Sequence, residues 1–268
     1  MSMHRNAPLP IHSRPPRPPS SSSLSSPLPS APTATSSTTT APIVLRTARL
    51  SLAVQVVFTL FTATSLFLPL GDAHRPLVAL AALETGAQVI EFAYYAVVLF
   101  RVGEIVTWTR YLDWVISTPL MLLSTMGFLL YLRDPALTLG DVFAAERVGF
   151  AVGVLLFNWL MLAFGFLHER GIVPGGGALV AGTLCFVPSF GLLLFGYVRG
   201  SGTLGVVLFV GLYVVWGMYG IAATQDEVSK NVAYNLLDLL SKNAYGLLLF
   251  LYAVWTLRAS DEGSALPA

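Results

Sequence analysis

The chain has 268 residues, 55% of them hydrophobic and 11% charged, with a mean hydropathy of +0.71 and a formal net charge of +1. Soluble domains carry roughly 25% charged residues, so this composition excludes an ordinary soluble domain and points to a membrane. It also excludes the clearly basic face that a nucleic-acid partner needs, and the lone Cys185 excludes an intrachain disulfide.

In chain order, residues 1–45 come first and read as a disordered tail. SSSLSSPLPS and TATSSTTT cannot bury an apolar face. Arg5, Arg14 and Arg17 stand there with no acid before Asp72, a composition that suits a solvated tail or an organelle-targeting segment. Apolar blocks then follow at 50–70, 77–100, 105–132, 147–167, 177–198, 203–224 and 230–257. Each approaches the ~20 residues that a bilayer requires. Lipid-exposed backbone must satisfy its own hydrogen bonds, so the blocks are expected to be helices, antiparallel to their neighbours across short loops. The reading is an all-α membrane protein: a seven-helix bundle over 46–258, with a short tail at 259–268. Pro119 and Pro188 are expected to bend their spans, and Gly149 and Gly153, one turn apart, to allow a close helix contact. His4, His12, His74 and His168 lie in the tail or in loops and make no metal centre.

Arginine placement favours an N-terminus outside. Arg75, Arg133, Arg147, Arg199 and Arg258 would then lie inside, against Arg101, Arg170 and Lys230 outside, with Arg46 and Arg49 offsetting the difference.

Most charges sit at span ends, and the exceptions carry the functional argument. An ionised group at a bilayer centre costs about 2.5–3.5 kcal/mol on the insertion scale, so such groups face the bundle interior and need partners. In the last span Asp238 precedes Lys242 by four residues and shares its face, which Asn235 and Asn231 continue. In the third, RYLDWVISTPLMLLS aligns Arg110, Asp113, Ser117 and Ser124. If the two stripes meet, Arg110, Asp113, Asp238 and Lys242 form a neutral quartet. Lys242 is then either half of an interhelical ion pair or an amine kept for condensation with an aldehyde, which would need Asp113 and Asp238 as counterions. Trp114, Trp216 and Tyr219 offer flat rings that could enclose a long polyene. In the second span, ETGAQVIEFAYY puts Glu84, Gln88 and Glu91 on one stripe. They either clamp the asparagines of the last span or line a wet, cation-attracting path.

RYLDWVISTPL, WGMYG and LDLLSKN, in this order among seven spans, resemble the signature segments of the microbial (type 1) rhodopsins. The resemblance implies all-trans-retinal bound covalently to Lys242. It also implies Asp113 and Asp238 as counterions, Arg110 as an outer gate, and Trp114, Ser117, Thr118, Met121, Trp216 and Tyr219 around the polyene. Two positions depart from the pattern: Gly220 stands where many members have proline, and Ser124 where outward proton pumps carry an acid. A serine hydroxyl cannot reprotonate a Schiff base near neutral pH, which argues against efficient pumping.

Ser51, Glu84, Gln88, Glu91, Asn235 and Asn243, with the phrase NVAYNLLDLLSKNAYG, are similar to the group-1 viral rhodopsins of large algal viruses. That likeness implies a light-gated cation channel, not an enzyme. Its partners would be membrane lipid and cations (protons, monovalent cations and Ca2+), with no nucleic acid, and a homo-oligomeric assembly. The alternatives are a weak outward proton pump and a sensor signalling through a partner protein. The membrane of residence, plasma or organelle, is open.

Overall fold

The computed structural model describes residues 41–102 and 105–264, so the tail expected at 1–40 lies outside the described residues. Helix α1 (Pro42–Thr64) starts with proline in its first turn, where the fixed φ suits a helix and the missing N–H is no loss. The apolar pattern alone suggests a start near 50 and a tail to 45. The helix begins earlier because Arg46 and Arg49 are exposed on its outer side. Long basic side chains can lie along an apolar helix and carry their charge to the interface, lowering local hydropathy without ending the helix.

A short turn (Asp72–His74) leads into α2 (Arg75–Val97), which ends in a wide π-helical turn at Val98–Val102. The third span opens with a tight turn (Thr107–Thr109) and continues as α3 (Arg110–Arg133), with Pro119 inside it. Then come α4 (Val148–Glu169), α5 (Gly175–Leu193), with Pro188 inside it and a π-helical extension at Leu194–Val198, and α6 (Gly202–Ala222). Asp226 caps α7 (Glu227–Asp238), its carboxylate accepting the N–H groups of Val228 and Ser229, each at 3.1 Å. The chain runs on through a π-helical turn at Leu239–Asn243 into α8 (Ala244–Ser264), so α7, the turn and α8 make one span. Helix therefore starts before the expected residue 230 and takes in part of the segment read as a C-terminal tail.

Among the described residues, seven helical stretches are long and apolar enough to cross a membrane. The third is the most enclosed, packed between α2 and α4. α1 lies along α2, α7 and α8, and α4 lies along α5. At Gly153 an added methyl group would meet Leu192 of α5, so this glycine permits the close approach, whereas Gly149 faces open space and serves no contact. Large apolar side chains such as Leu60, Val207, Ile221 and Trp255 point outward. Polar ones such as Ser51, Gln55, Glu84, Gln88, Arg110 and Asn235 point inward and are fully buried. That inside-out distribution is what hydrocarbon as the solvent dictates.

Candidate functional site

Lys242 lies in the π-helical turn, 1% exposed. Its Nζ is 2.6 Å from Asp113 Oδ2, and 3.9 Å from both Asp238 Oδ1 and Glu91 Oε1. The quartet expected from the sequence is thus assembled, with its pairings decided in space. Asp113, from another helix, is the near partner of Lys242. Asp238, on the lysine's own face, is shared with Arg110, whose Nη1 is 3.5 Å from Asp238 Oδ2. Glu91 joins as a third carboxyl, which the sequence reading placed in the stripe of α2 and not at the lysine.

Arg110 is fully buried and heavily bonded. It donates to Asn235 Oδ1, to Asn231 Oδ1 at 3.1 Å and to the Tyr95 hydroxyl at 3.0 Å. Tyr95 was not singled out from sequence, yet its hydroxyl stands 2.8 Å from Asp238 Oδ2 and 3.0 Å from Asn235 Oδ1. Asp238 Oδ1 also accepts from Tyr219 at 2.8 Å and from the Trp114 indole at 3.3 Å. Four side chains from three other spans therefore fix one carboxylate. Toward the end where α7 begins, Asn231 bonds Thr107 and Glu227, and Lys230 bridges Glu169 and Glu227, each at 2.9 Å.

On one side of Lys242 a cavity of about 840 Å³ opens. Trp114, Thr118, Met121, Trp216, Tyr219 and Ser241 line it, as do Tyr111, Met161, Leu162, Gly165 and Phe186. Five of the six pocket residues expected from sequence are there. Ser117 is buried on α3 but is not part of the wall. His168, Glu169 and Thr183 add polar groups to the wall from α4 and α5, but Met161, Leu162 and Phe186 have the chemistry of lipid-facing neighbours, so nothing in the sequence separates these three from them. Asn158 of α4 steadies this side by donating to the Thr118 hydroxyl at 2.8 Å, which in turn donates to the Trp114 carbonyl at 2.7 Å.

On the other side of Lys242, α1, α2 and the last span enclose a polar seam. Gln88 donates to the Lys242 carbonyl at 3.3 Å, Ser51 to the Asn235 carbonyl at 3.2 Å, and Gln55 to Ser51 at 3.1 Å. Asn235 reaches back to Thr47 at 2.8 Å and to the Val44 carbonyl at 3.1 Å. Gln88 and Ser51 thus clamp the last span. The carboxyls do not: both oxygens of Glu84 and of Glu91, both polar atoms of the Asn243 side chain, and Oε1 of Gln55 and of Gln88 have no hydrogen-bond partner among the described residues. A buried polar group left unpaired costs about 1–3 kcal/mol, so this concentration of them calls for water or ions between the helices. Gln55 was missed from sequence, although Ser51, Gln55, Thr62 and Ser65 recur on one face of the first span at helical spacing.

Seven spans around an aromatic-lined cavity, with a carboxylate-paired lysine in its wall, define an integral, multi-pass membrane protein built to hold an apolar ligand against an amine. The chain matches the bacteriorhodopsin-like protein family over residues 46–257 and belongs to it. It is 25% identical over 188 residues to the green-light absorbing proteorhodopsin of Gamma-proteobacterium EBAC31A08, covering 64% of this chain and 71% of the relative. Halorhodopsin of Halobacterium salinarum is 32% identical over 163 residues, 55% of each chain. Among solved structures, the viral rhodopsin OLPVRII superposes with a TM-score of 0.69 at 24% identity, covering 79% of this chain and 98% of that one. The light-driven proton pump of Coccomyxa subellipsoidea superposes with 0.62 at 17% identity, covering 79% and 97%. The chain is a microbial rhodopsin, and its cofactor is retinal. The cavity suits such a ligand: it is roomy and ring-lined, and the amine in its wall is flanked by acids.

Proposed function

We propose that this protein is a light-gated cation channel in which Lys242 carries the retinal. The chain has two lysines, Lys230 and Lys242, and both line the cavity. Lys230 is committed to Glu169 and Glu227. Lys242 has the cavity on one side and Asp113 on the other, which suits a Schiff base with a counterion. Bound there, retinal supplies light absorption and a change of shape.

The protein's own groups do the rest. Asp113 Oδ2, 2.6 Å from Nζ, is the primary counterion and is placed to take a proton from that nitrogen. Asp238, immobilised by Arg110, Tyr95, Tyr219 and Trp114, is the second counterion. Once Asp113 is neutral, the balance that holds Arg110 against Asp238 and the asparagines is upset. Arg110 moves, and the seam opens toward the end at which α1 begins, which is the outer end if the N-terminus lies outside.

The observation that carries the channel reading is the seam: Glu84, Gln88, Glu91, Asn243, Gln55 and Ser51 are buried at bilayer depth, and most of their polar atoms are unpaired. Intramembrane carboxyls without hydrogen-bond partners, Glu84 above all, mark ion paths more readily than packing contacts, and carboxyls lining a pore select cations. Ser124 weighs against a pump, since a hydroxyl stands where a proton donor is needed, 3.3 Å from the Tyr245 hydroxyl. The test is photocurrent against voltage, in retinal-supplied cells, under varied cation gradients. A reversal potential that follows the cation gradient supports the channel. Current of fixed sign indicates the pump instead, and silence with a slow photocycle indicates a sensor.

A further inference from the structure

We propose that Tyr245, with Leu80 and Ser124, forms the gate that closes the seam at the end where α2 begins. The inference rests on the channel reading and names a part of it that the polar stripe does not contain.

The seam does not run through the bundle. From Glu84 toward the start of α2, the next buried side chains are Ala81, Leu80 and Leu77. From Asn243 along the last span they are Tyr245, Leu249 and Ala253. These residues, except Ala81, join Phe128 and Leu129 of α3 in one apolar cluster. Buried Thr62, which lies beside Gly246, Ser65, just after α1, and Thr125 of α3 are polar exceptions at this level. At the edge of the cluster, His74 meets the hydroxyl of its member Tyr131 at 2.6 Å. A chamber rich in unpaired polar atoms thus ends on an apolar plug, the arrangement that gates a pore by excluding water.

Tyr245 is placed to work the plug. It comes three residues after Lys242, directly beyond the π-helical turn, so a shift of the lysine backbone is passed to it within one turn of helix. Its hydroxyl meets the Ser124 hydroxyl at 3.3 Å, and Ser124 reaches the Leu80 carbonyl at 3.5 Å. The last span, α3 and α2 are therefore latched together one turn past Glu84 by two long hydrogen bonds, which small displacements release. Tyr245 is not in the retinal cavity wall, so altering it should leave the pigment intact.

The experiment is whole-cell recording of the full chain with retinal, in darkness and in light, with the visible absorbance of each variant measured alongside. Tyr245→Ala opens the plug, and a cation current in darkness of at least a tenth of the light-driven current is expected. Leu80→Ala, from the facing wall, is expected to do the same and serves if the first variant forms no pigment. Tyr245→Phe keeps the ring and loses the latch, so darkness stays tight but closing after a flash slows several-fold. Wild-type passive photocurrent together with no dark current in either alanine variant, or unchanged closing in the phenylalanine variant, overturns the gate and leaves the channel standing. Absence of passive photocurrent in the wild type overturns both.

Discussion

Replacing Asp113 with asparagine tests the ordering of acids around the lysine. The three carboxyls sit at 2.6, 3.9 and 3.9 Å from Nζ. At an effective dielectric of about 20, Coulomb's law gives an attraction of about 6 kcal/mol at the shorter distance and about 4 kcal/mol at the longer. Excitation of the bound chromophore moves positive charge away from the nitrogen, so a nearby anion stabilises the ground state more than the excited state. Removing it narrows the gap, by at most the attraction lost. Asp113→Asn is therefore expected to red-shift the visible band, bounded by about 6 kcal/mol of photon energy. Asp238→Asn should shift it less, because that carboxylate is farther away and its charge is already shared with Arg110 and three hydrogen-bond donors. The assay is the absorption spectrum of each purified, retinal-loaded variant at one pH. An Asp113→Asn band that stays in place, or moves less than that of Asp238→Asn, would refute the assignment of Asp113 as the primary counterion.

Lys242→Ala should give colourless protein when retinal is supplied, whereas Lys230→Ala should keep its colour and bleach at a lower temperature, for want of the bridge to Glu169 and Glu227; the reverse pattern in absorbance would move the attachment site. Glu91→Gln should reduce cation photocurrent several-fold with the visible band retained, and an unaltered current would take Glu91 out of the path. Tyr95→Phe removes the hydroxyl that links Arg110, Asn235 and Asp238. Hydrogen bonds inside membrane bundles contribute about 0.6–2 kcal/mol each, so a thermal bleaching midpoint a few degrees lower is expected; an unchanged midpoint would show that Tyr95 does not hold the network.

Much of this was legible in one dimension because hydrocarbon imposes simple rules. The spans follow from apolar length, and a charge in mid-span needs a partner, so Lys242, Asp238, Asp113 and Arg110 could be chosen as a set before any contact was known. What sequence supplied poorly were ends and neighbours. Pro42 begins the first helix ahead of the apolar block because exposed arginines are compatible with helix and only hydropathy is diluted. Met161, Leu162 and Phe186, in the cavity wall from α4 and α5, have the same chemistry as the side chains that face lipid.

Helical periodicity by itself determined which residues share a face: Asp238 with Lys242, and Glu84 with Gln88 and Glu91. Only the packing of spans decided which face meets which. That choice put Asp113, and not the same-face Asp238, 2.6 Å from the lysine; it gave Asp238 to Arg110 and Tyr95, and it brought Glu91 to the lysine as a third carboxyl. The physical reason is that a helix fixes spacing along one chain through local backbone bonds, while the distance between charges on different helices depends on how side chains of many helices fill the space between them.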